Sequence, residues 1–242
     1  MNTLVFSIGL NGYDIGYRMC LDSQREYADR IGADFRVVTK PTVSDPAFAA
    51  WLKVTLLDAA LKAGYDAVAY IDADCRVSKS APDFTTELAK SDGKICMSLG
   101  RSGRLNSGVI FAENSVTANQ FLERVVASVV ENIPAKARAN LRFENGNIIY
   151  VESINGGVHI IDSRWNNSSD DTLDDHIRHF TGPLKSKMHA PLKDRLNFRI
   201  RKLFLPRASA APERREASFL DELQQLTESI VSELDLNPRV DR

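Results

Sequence analysis

Cysteine is scarce in this chain, and its three residues, Cys20, Cys75 and Cys96, lie far apart without a C-x-x-C pair. An odd, widely spaced set indicates neither a disulfide framework nor a zinc site. The chain also lacks the run of about eighteen apolar residues that a membrane-spanning helix needs. It begins "MNTLVFSIGLNG", which has neither the basic segment nor the long apolar core of a secretion signal, so we expect a cytoplasmic protein.

An excess of positive charge is missing as well, because 31 Lys and Arg stand against 32 Asp and Glu, for a net charge of −1. Nucleic-acid binding depends on a broad basic surface, so this balance argues against a nucleic-acid partner. The composition is that of an ordinary globular protein: 43% of the 242 residues are hydrophobic and 26% are charged. A chain of this length can bury the core of one domain.

Hydrophobic patterns alternate along the chain between strand and helix periodicity. Apolar runs predict strands over residues 3–9, 34–40, 66–71, 94–99, 107–112 and 158–163. Helical periodicity, with proline at a start or glycine at an end, predicts helices over residues 17–32, 46–64 and 115–130. Residues 141–157 show no clear pattern. The alternation predicts a sheet with helices on its faces.

The most apolar predicted strand, residues 66–71, runs directly into Asp72 and Asp74. A continuous apolar run suits a strand covered on both faces, and the carboxyl ends of such strands are where α/β sheets bind ligands. Carboxylate oxygens suit Mg²⁺ or Mn²⁺, which commonly bridge protein carboxylates to phosphates. The pair therefore predicts a metal-phosphate site, provided that the chain bends at the strand end. For a D-x-D tripeptide alone, a capped turn with a solvated carboxylate is the simpler interpretation.

A second polar cluster, Asn106, Ser107 and Gly108, comes immediately before the apolar run at 109–112 of the predicted strand. Short polar groups and a glycine at this position could bind a ligand hydroxyl, although N-S-G is also a common turn.

A third cluster places His179, Gly182 and Lys185 within seven residues. Histidine can ligate a metal, glycine allows a phosphate to approach closely, and lysine can neutralise a diphosphate. A lone histidine in an apolar segment is more often structural.

Four motifs occur in a fixed order: D-A-D (72–74), L-N-S-G-V (105–109), R-W-N (164–166) and H-F-T-G-P-L-K (179–185). Together they resemble the retaining GT-A glycosyltransferases of the glycogenin and lipopolysaccharide-galactosyltransferase type, often called family 8. The resemblance implies a GT-A-like α/β fold with a mixed central sheet and helices on both faces. It also implies transfer of a hexose from a nucleotide-sugar donor, UDP-Glc or UDP-Gal, to a glycan or lipid-linked acceptor, with retention of configuration.

The resemblance further implies roles for individual residues. Asp72, Asp74 and His179 would hold Mn²⁺ or Mg²⁺ on the diphosphate of the donor. The residues expected to contact the donor are Ser7, Asn11, Tyr13, Lys53, Ser107, Gly182 and Lys185, with Tyr13 stacking on the base and Gly182 and Lys185 against the phosphates.

Lys53 is also notable without the resemblance, because it lies in a predicted helix with very few other charges. A charge there is costly without a partner, unless the side chain reaches out to water.

The catalytic residues implied by the resemblance are Asn106, Glu144 and Asn145. The last two, in "FENGN", stand where the family usually has an Asp-Gln pair, and the spacing to Trp165 is about two residues longer. The family's Lys-Pro-Trp after the H-F-x-G motif is also replaced, by "KSKMH".

Two other functions fit part of the pattern. A haloacid-dehalogenase-type phosphohydrolase also has D-x-D after an apolar strand, and its downstream acidic pair could come from Asp170, Asp171, Asp174 and Asp175. In that family, however, the D-x-D motif usually ends the first strand. A catalytically inactive nucleotide-sugar-binding protein is the second alternative.

The composition changes near residue 185, since residues 185–207 hold eight Lys or Arg and a single acidic residue. We predict a catalytic domain over residues 1–187, a basic amphipathic helix over 188–205, a linker over 206–216 and an acidic helix over 217–242. The apolar stripe of the basic helix consists of Leu192, Leu196, Ile200, Leu203 and Phe204.

This stripe allows two interpretations. It could lie on an anionic membrane surface, at the inner face of the membrane, or it could be ordinary core. The acidic helix could cover the basic helix or form a homo-oligomer.

Overall fold

The computed structural model describes residues 1–134, 143–205 and 216–234. The strands are β1 (Thr3–Ile8), β2 (Asp34–Val38), β3 (Ala67–Ile71), β4 (Cys75–Val77), β5 (Ile95–Leu99), β6 (Leu105–Glu113), β7 (Val158–Ile161) and β8 (Ile177–His179). The α-helices are α1 (Tyr13–Gly16), α2 (Arg18–Ile31), α3 (Pro46–Lys62), α4 (Thr85–Leu88), α5 (Val116–Ala127), α6 (Glu144–Asn155), α7 (Leu192–Leu203) and α8 (Glu216–Leu234).

Six strands form a mixed sheet in the order β2-β1-β3-β6-β5-β7. The strand pairs β1–β2, β1–β3 and β5–β7 are parallel, whereas β6 runs antiparallel to both β3 and β5. β4 and β8 pair antiparallel in a separate small sheet. The predicted α/β fold with a mixed central sheet is confirmed.

Helices cover both faces of the large sheet, as predicted. On one face the core joins α3, α5, α6 and α8, with Leu52, Leu57 and Phe121 among its buried side chains. On the other face, Tyr27 of α2 and Trp165, from a 3₁₀ helix at Ser163–Asn166, belong to the core. β3 is buried at every residue because it lies between these two layers.

The helix α3 is apolar on nearly all sides because a second helix layer covers it. It begins at Asp45, whose side chain accepts a hydrogen bond from the Ala47 amide, and at Pro46, a favoured first helical residue. On its outer side lies α8, where Phe219 stacks on Phe48 with ring centroids 4.6 Å apart. The structure therefore packs the acidic C-terminal helix against α3 through its apolar stripe.

Some elements differ from the sequence predictions. Asn106, Ser107 and Gly108 lie inside β6 and not before it, because the ladder to β5 extends to Leu105 through an irregular register. The three-residue strands β4 and β8 were not predicted, since each is too short for a periodic pattern and they pair with each other across about a hundred residues of chain. The segment without a clear pattern contains α6, which begins at Glu144.

The predicted linker at 206–216 lies, except for its last residue, outside the described residues, as does the predicted helix beyond 234. Across the described ranges, every helix is too short or too polar to pass through a lipid bilayer.

Candidate functional site

A cleft of about 260 Å³ opens at the carboxyl ends of β1 and β3. Its walls come from the loop after β1, from α3 and from the end of β3. The lining residues include five of the predicted site residues, namely Asn11, Tyr13, Lys53, Asp72 and Asp74.

The D-x-D motif occupies a bend at the end of β3. The Cys75 amide donates a hydrogen bond to the Asp72 carbonyl at 2.9 Å, and Gln24 Nε2 donates to the same carbonyl at 2.9 Å. Asp72 and Asp74 are two residues apart, and this bend at the end of the strand allows both side chains to turn toward one point. It also starts β4, whose residue Cys75 pairs in register with His179 of β8.

The pairing of β4 with β8 brings His179 to the two aspartates. His179 Nε2 lies 3.2 Å from Asp74 Oδ1 and 3.8 Å from Asp72 Oδ2. The structure thus places the three predicted metal ligands together, although His179 lies 105 positions after Asp74 in the chain.

Gly108 provides the space for this cluster. A Cβ atom at this position would overlap the His179 imidazole and lie 3.0 Å from Asp72 Oδ2. The glycine was predicted as a point of close ligand approach, but the group that approaches it is the histidine ring.

The R-W-N motif supplies the residue that orients His179. Asn166 Oδ1 lies 2.9 Å from His179 Nδ1, and an amide oxygen only accepts hydrogen bonds, so Nδ1 carries the proton. Asn166 is itself held by donating to the Asn106 carbonyl at 3.2 Å. Nε2 is therefore the ring nitrogen that faces the carboxylates, where it can carry a proton for Asp74 or, once deprotonated, a lone pair for a metal ion.

The charges of the cluster shift one another's pKa values. Burial lowers the pKa of His179, but the hydrogen bond to Asp74 and the charges of Asp74 and Asp72 outweigh it and raise the pKa above its usual value. Burial raises the pKa of Asp74, and the hydrogen bond and charge of His179 reverse this to a net lowering. The pKa of Asp72 is raised by burial, which outweighs the opposing effect of Lys53. Two partly buried carboxylates that both face His179 Nε2 are a site that favours a cation.

Lys53 reaches from α3 into the interior and joins the D-x-D motif to α6. Its Nζ lies 3.1 Å from Glu144 Oε1, 3.3 Å from Asp72 Oδ1 and 3.3 Å from the Ser107 carbonyl oxygen. Burial lowers the pKa of Lys53, yet the charges of Asp72 and Glu144 produce a net rise, so the ammonium stays protonated. The lysine has carboxylate partners and does not extend to water.

Tyr70 completes the contacts of Asp72. It lies two residues earlier on the same face of β3, and its hydroxyl donates to Asp72 Oδ1, the oxygen that also contacts Lys53. Asp72 Oδ2 is thereby left to face His179 and a ligand. Tyr70 was not among the predicted site residues, although its position two residues before Asp72 indicated that both side chains share one face of the strand.

Of the residues predicted to be catalytic, Asn106 lies in β6, and Glu144 and Asn145 make hydrogen bonds to that strand. Ser107 Oγ donates to Glu144 Oε1 at 2.6 Å, and the Ser107 amide donates to Asn145 Oδ1 at 3.1 Å. Asn145 Nδ2 donates to the Leu105 carbonyl at 3.1 Å. Asn106 Oδ1 accepts from the Gly108 amide at 3.0 Å. These contacts fix the start of α6 against the strand beside the D-x-D motif.

In the predicted base region, Tyr13 is 39% exposed and stacks on Tyr17 with ring centroids 5.3 Å apart. Asn11 exchanges two hydrogen bonds with the backbone of Val43, at 2.8 and 3.1 Å, and so joins two loops of the cleft. Ser7 is fully buried in β1, and its hydroxyl has no hydrogen-bond partner among the described residues. It does not line the cleft.

Gly182 and Lys185 follow His179 in a 3₁₀ helix at Gly182–Lys187. Gly182 has a positive φ of 49°, which favours glycine. The side chain of Lys185 is exposed, and neither residue lines the 260 Å³ cleft.

The donor atoms fit a hard divalent cation. Asp74, Cys75 and His179 place ligand atoms within 4.8 Å of one another. Burial raises the pKa of the Cys75 thiol well above its usual value, and the charges of Asp74 and Asp72 raise it further, so the sulfur stays protonated. Asp74 and His179 remain, and Asp72, whose Oδ2 lies 3.8 Å from His179 Nε2, adds a second carboxylate. Two carboxylates and an imidazole suit Mn²⁺ or Mg²⁺.

The acidic run required by the phosphohydrolase alternative lies apart from the D-x-D motif. Asp174 forms an ion pair with Arg164 at 3.0 Å, and Asp175 forms one with Arg178 at 2.7 Å. These two aspartates line a different cavity, of about 460 Å³. Asp171 pairs with Lys187 at 2.5 Å, and Asp170 accepts a hydrogen bond from the Thr172 hydroxyl at 2.7 Å. The geometry does not favour this alternative.

No protein family and no curated protein matches the chain by sequence. Among solved structures, it is similar to a glycosyltransferase involved in glycosylation of the major capsid of PBCV-1, with 15% identity and a TM-score of 0.60 over 83% of this chain and 100% of that one. It is also similar to the glycosyltransferase GlyE of Streptococcus pneumoniae TIGR4, with 12% identity and a TM-score of 0.50 over 95% of this chain and 65% of GlyE. These similarities concern the fold, and they show that the chain has the GT-A-like fold of glycosyltransferases.

Proposed function

We propose that this protein is a metal-dependent glycosyltransferase that moves a hexose from a nucleotide-diphosphate sugar to a glycan or lipid-linked acceptor. The observation that carries the proposal is the meeting of Asp72, Asp74 and His179 beside a cleft in a GT-A-like fold. The two similar structures are both glycosyltransferases, which supports the same class of reaction.

The proposed cation is Mn²⁺ or Mg²⁺, held by the free oxygens of Asp72 and Asp74 and by His179 Nε2. When bound, it supplies Lewis-acid stabilisation of the departing diphosphate. Lys185, exposed on the segment after His179, adds positive charge for the same group, with Gly182 beside it.

The chain's own residues arrange the rest of the donor site. Tyr13 presents a partly exposed aromatic face at the cleft for a nucleotide base. Asn11 holds the loop that carries it. Lys53 balances the charges of Asp72 and Glu144, so that Asp72 is oriented with one oxygen toward the ligand. Ser7 and Ser107 remain predicted donor contacts.

The catalytic assignment of Asn106, Glu144 and Asn145 stays a prediction. The contacts of Glu144 with Lys53 and Ser107 support a positioning role, and we name no nucleophile. UDP-Glc or UDP-Gal as donor, retention of configuration and a cytoplasmic location rest on the sequence alone.

Turnover tests the proposal directly. The protein is incubated with Mn²⁺, a panel of nucleotide sugars and glycan acceptors, and release of the nucleoside diphosphate is measured. We expect release that requires metal and is lost in Asp72→Asn. Metal-dependent nucleotide binding without any release would indicate an inactive binding protein, and Asp72-dependent hydrolysis of p-nitrophenyl phosphate would indicate a phosphohydrolase.

A further inference from the structure

The basic helix α7 is oriented with its apolar side toward solvent. The exposed fractions of its stripe range from 44% for Ile200 to 82% for Phe204, and the other members are Leu192, Leu196 and Leu203. A solvent-facing stripe of this size excludes the interpretation of these residues as ordinary core within the described part of the chain. Contiguous exposed apolar patches mark interaction surfaces.

The opposite side of α7 holds the helix on the protein. Phe198 contacts the rings of Tyr13 and Tyr17, with centroid distances of 5.4 and 6.1 Å. It fits against Gly16, where a Cβ atom would lie 2.9 Å from Phe198 Cγ. Asp194 is buried on the same side and lies 3.9 Å from Arg18. Positions 194 and 198 share one face of the helix, and the stripe occupies the other.

The charges around the stripe are of one sign. The exposed basic residues of α7 are Lys193, Arg195, Arg199, Arg201 and Lys202. Within the described residues, Lys193, Arg195 and Arg199 make no ion pair or ring contact, whereas Arg201 lies 3.9 Å from Asp14 and Lys202 lies over the rings of Tyr13 and Phe198. Asp194 is the helix's single acidic residue, and it is turned inward. The outer surface therefore combines apolar side chains with cations and exposes no carboxylate.

The combination of apolar and basic side chains on α7 indicates what kind of partner can bind this surface. A second copy placed on the same stripe would bring two sets of cations together without compensating acids. An anionic lipid surface supplies both an apolar phase and the opposite charge, which is the recognised pattern of interfacial helices.

We propose that α7 docks on an anionic lipid bilayer through the face of Leu192, Leu196, Ile200, Leu203 and Phe204. The docked helix also holds the loop of Tyr13, which lines the cleft, so the mouth of the cleft is held close to the bilayer surface. Resting on the proposed function, this placement makes the acceptor a lipid-linked glycan.

Vesicle co-sedimentation tests the docking. The full chain is mixed with vesicles of phosphatidylglycerol and phosphatidylcholine, or of phosphatidylcholine alone. We expect binding to the anionic vesicles that weakens as salt rises from about 0.05 to about 0.5 M. In Leu196→Ser/Ile200→Ser the partition coefficient is expected to fall about tenfold for each side chain.

The matched control replaces exposed apolar residues outside α7, in Val116→Ser/Ile154→Ser, and should leave binding unchanged. Equal binding to both kinds of vesicle, or equal effects of the two double variants, would overturn the proposal. A lower solution mass of the α7 variant in light scattering without vesicles would assign the stripe to a second copy and also overturn it.

Nucleotide binding measured without vesicles separates this inference from the proposed function. Stripe variants that bind nucleotide like the wild type but fail on vesicles support the docking. Vesicle binding by a chain that binds no nucleotide would leave the docking intact and remove the proposed function.

Discussion

Lys53 Nζ lies 3.1 Å from Glu144 Oε1 and 3.3 Å from Asp72 Oδ1, so one buried cation joins the D-x-D motif to the start of α6. Removing one partner of a buried pair leaves an uncompensated charge, which costs about 3–5 kcal/mol. We expect Lys53→Met to lower the free energy of unfolding by about this amount in chemical denaturation.

The control for this prediction is Lys62→Met, which removes a cation from an exposed pair with Asp58. Such a pair contributes about 1 kcal/mol or less. In the double variant Lys53→Met/Glu144→Gln, part of the lost stability should return, because Glu144 no longer carries a buried charge. Equal losses of unfolding free energy in Lys53→Met and Lys62→Met would contradict a stabilising role for the contacts of Lys53 with Glu144 and Asp72.

Gly108 should be essential for metal binding. Its replacement by alanine places a methyl group in the volume of the His179 imidazole, so the ring must leave its position between the carboxylates. We expect Gly108→Ala to lose Mn²⁺ binding in titration calorimetry while the protein remains folded. Gly103 has open space around it but a φ of 72°, so Gly103→Ala should lose some stability through backbone strain and still bind Mn²⁺ like the wild type. Retained affinity in Gly108→Ala would argue that His179 is not a ligand.

Tyr13 should contribute to nucleotide affinity through its aromatic face. Loss of a base-aromatic stack costs about 1–3 kcal/mol, or roughly five- to 150-fold in affinity. We expect Tyr13→Ala to weaken nucleoside diphosphate binding within this range and Tyr13→Phe to change it little. An equal loss in both variants would show that the hydroxyl, and not the ring, makes the contact.

The helix α8 should be required for stability because it covers α3. Leu223 is fully buried in the shared core, and Thr227 makes a buried hydrogen bond of 2.7 Å with Thr55. We expect Leu223→Ala to destabilise the protein by about 2–5 kcal/mol. The exposed neighbour Gln224, changed to alanine, should shift the unfolding midpoint only slightly. Similar midpoints for the two variants would place α8 outside the cooperative fold.

The site residues that could be predicted from the sequence are those that a short stretch of chain is enough to indicate. Asp72 and Asp74 follow a buried strand and Lys53 lies in an apolar helix, and each of these patterns is read within about twenty residues. The mixed sheet and the meeting of His179 with the aspartates were implied by the family resemblance that the four motifs carry.

Long-range contacts account for what was missed. The β4–β8 pair is too short to give a periodic signal, although it is what brings His179 to Asp74. The hydrogen bond from Tyr70 to Asp72 depends on how the chain bends after β3. The sequence could not predict whether the apolar stripe of α7 faces the protein or the solvent, because an amphipathic pattern does not show which side of a helix the protein covers.

The most direct test of the account is a thermal-shift panel of UDP, GDP, CDP and their sugars, each with and without Mn²⁺, on the wild type and on Asp74→Asn. A ligand that binds only the folded state raises its stability. We expect stabilisation of the wild type by one nucleotide family, present only with metal and absent in Asp74→Asn. No shift with any nucleotide, or a shift that persists in Asp74→Asn without metal, would contradict it.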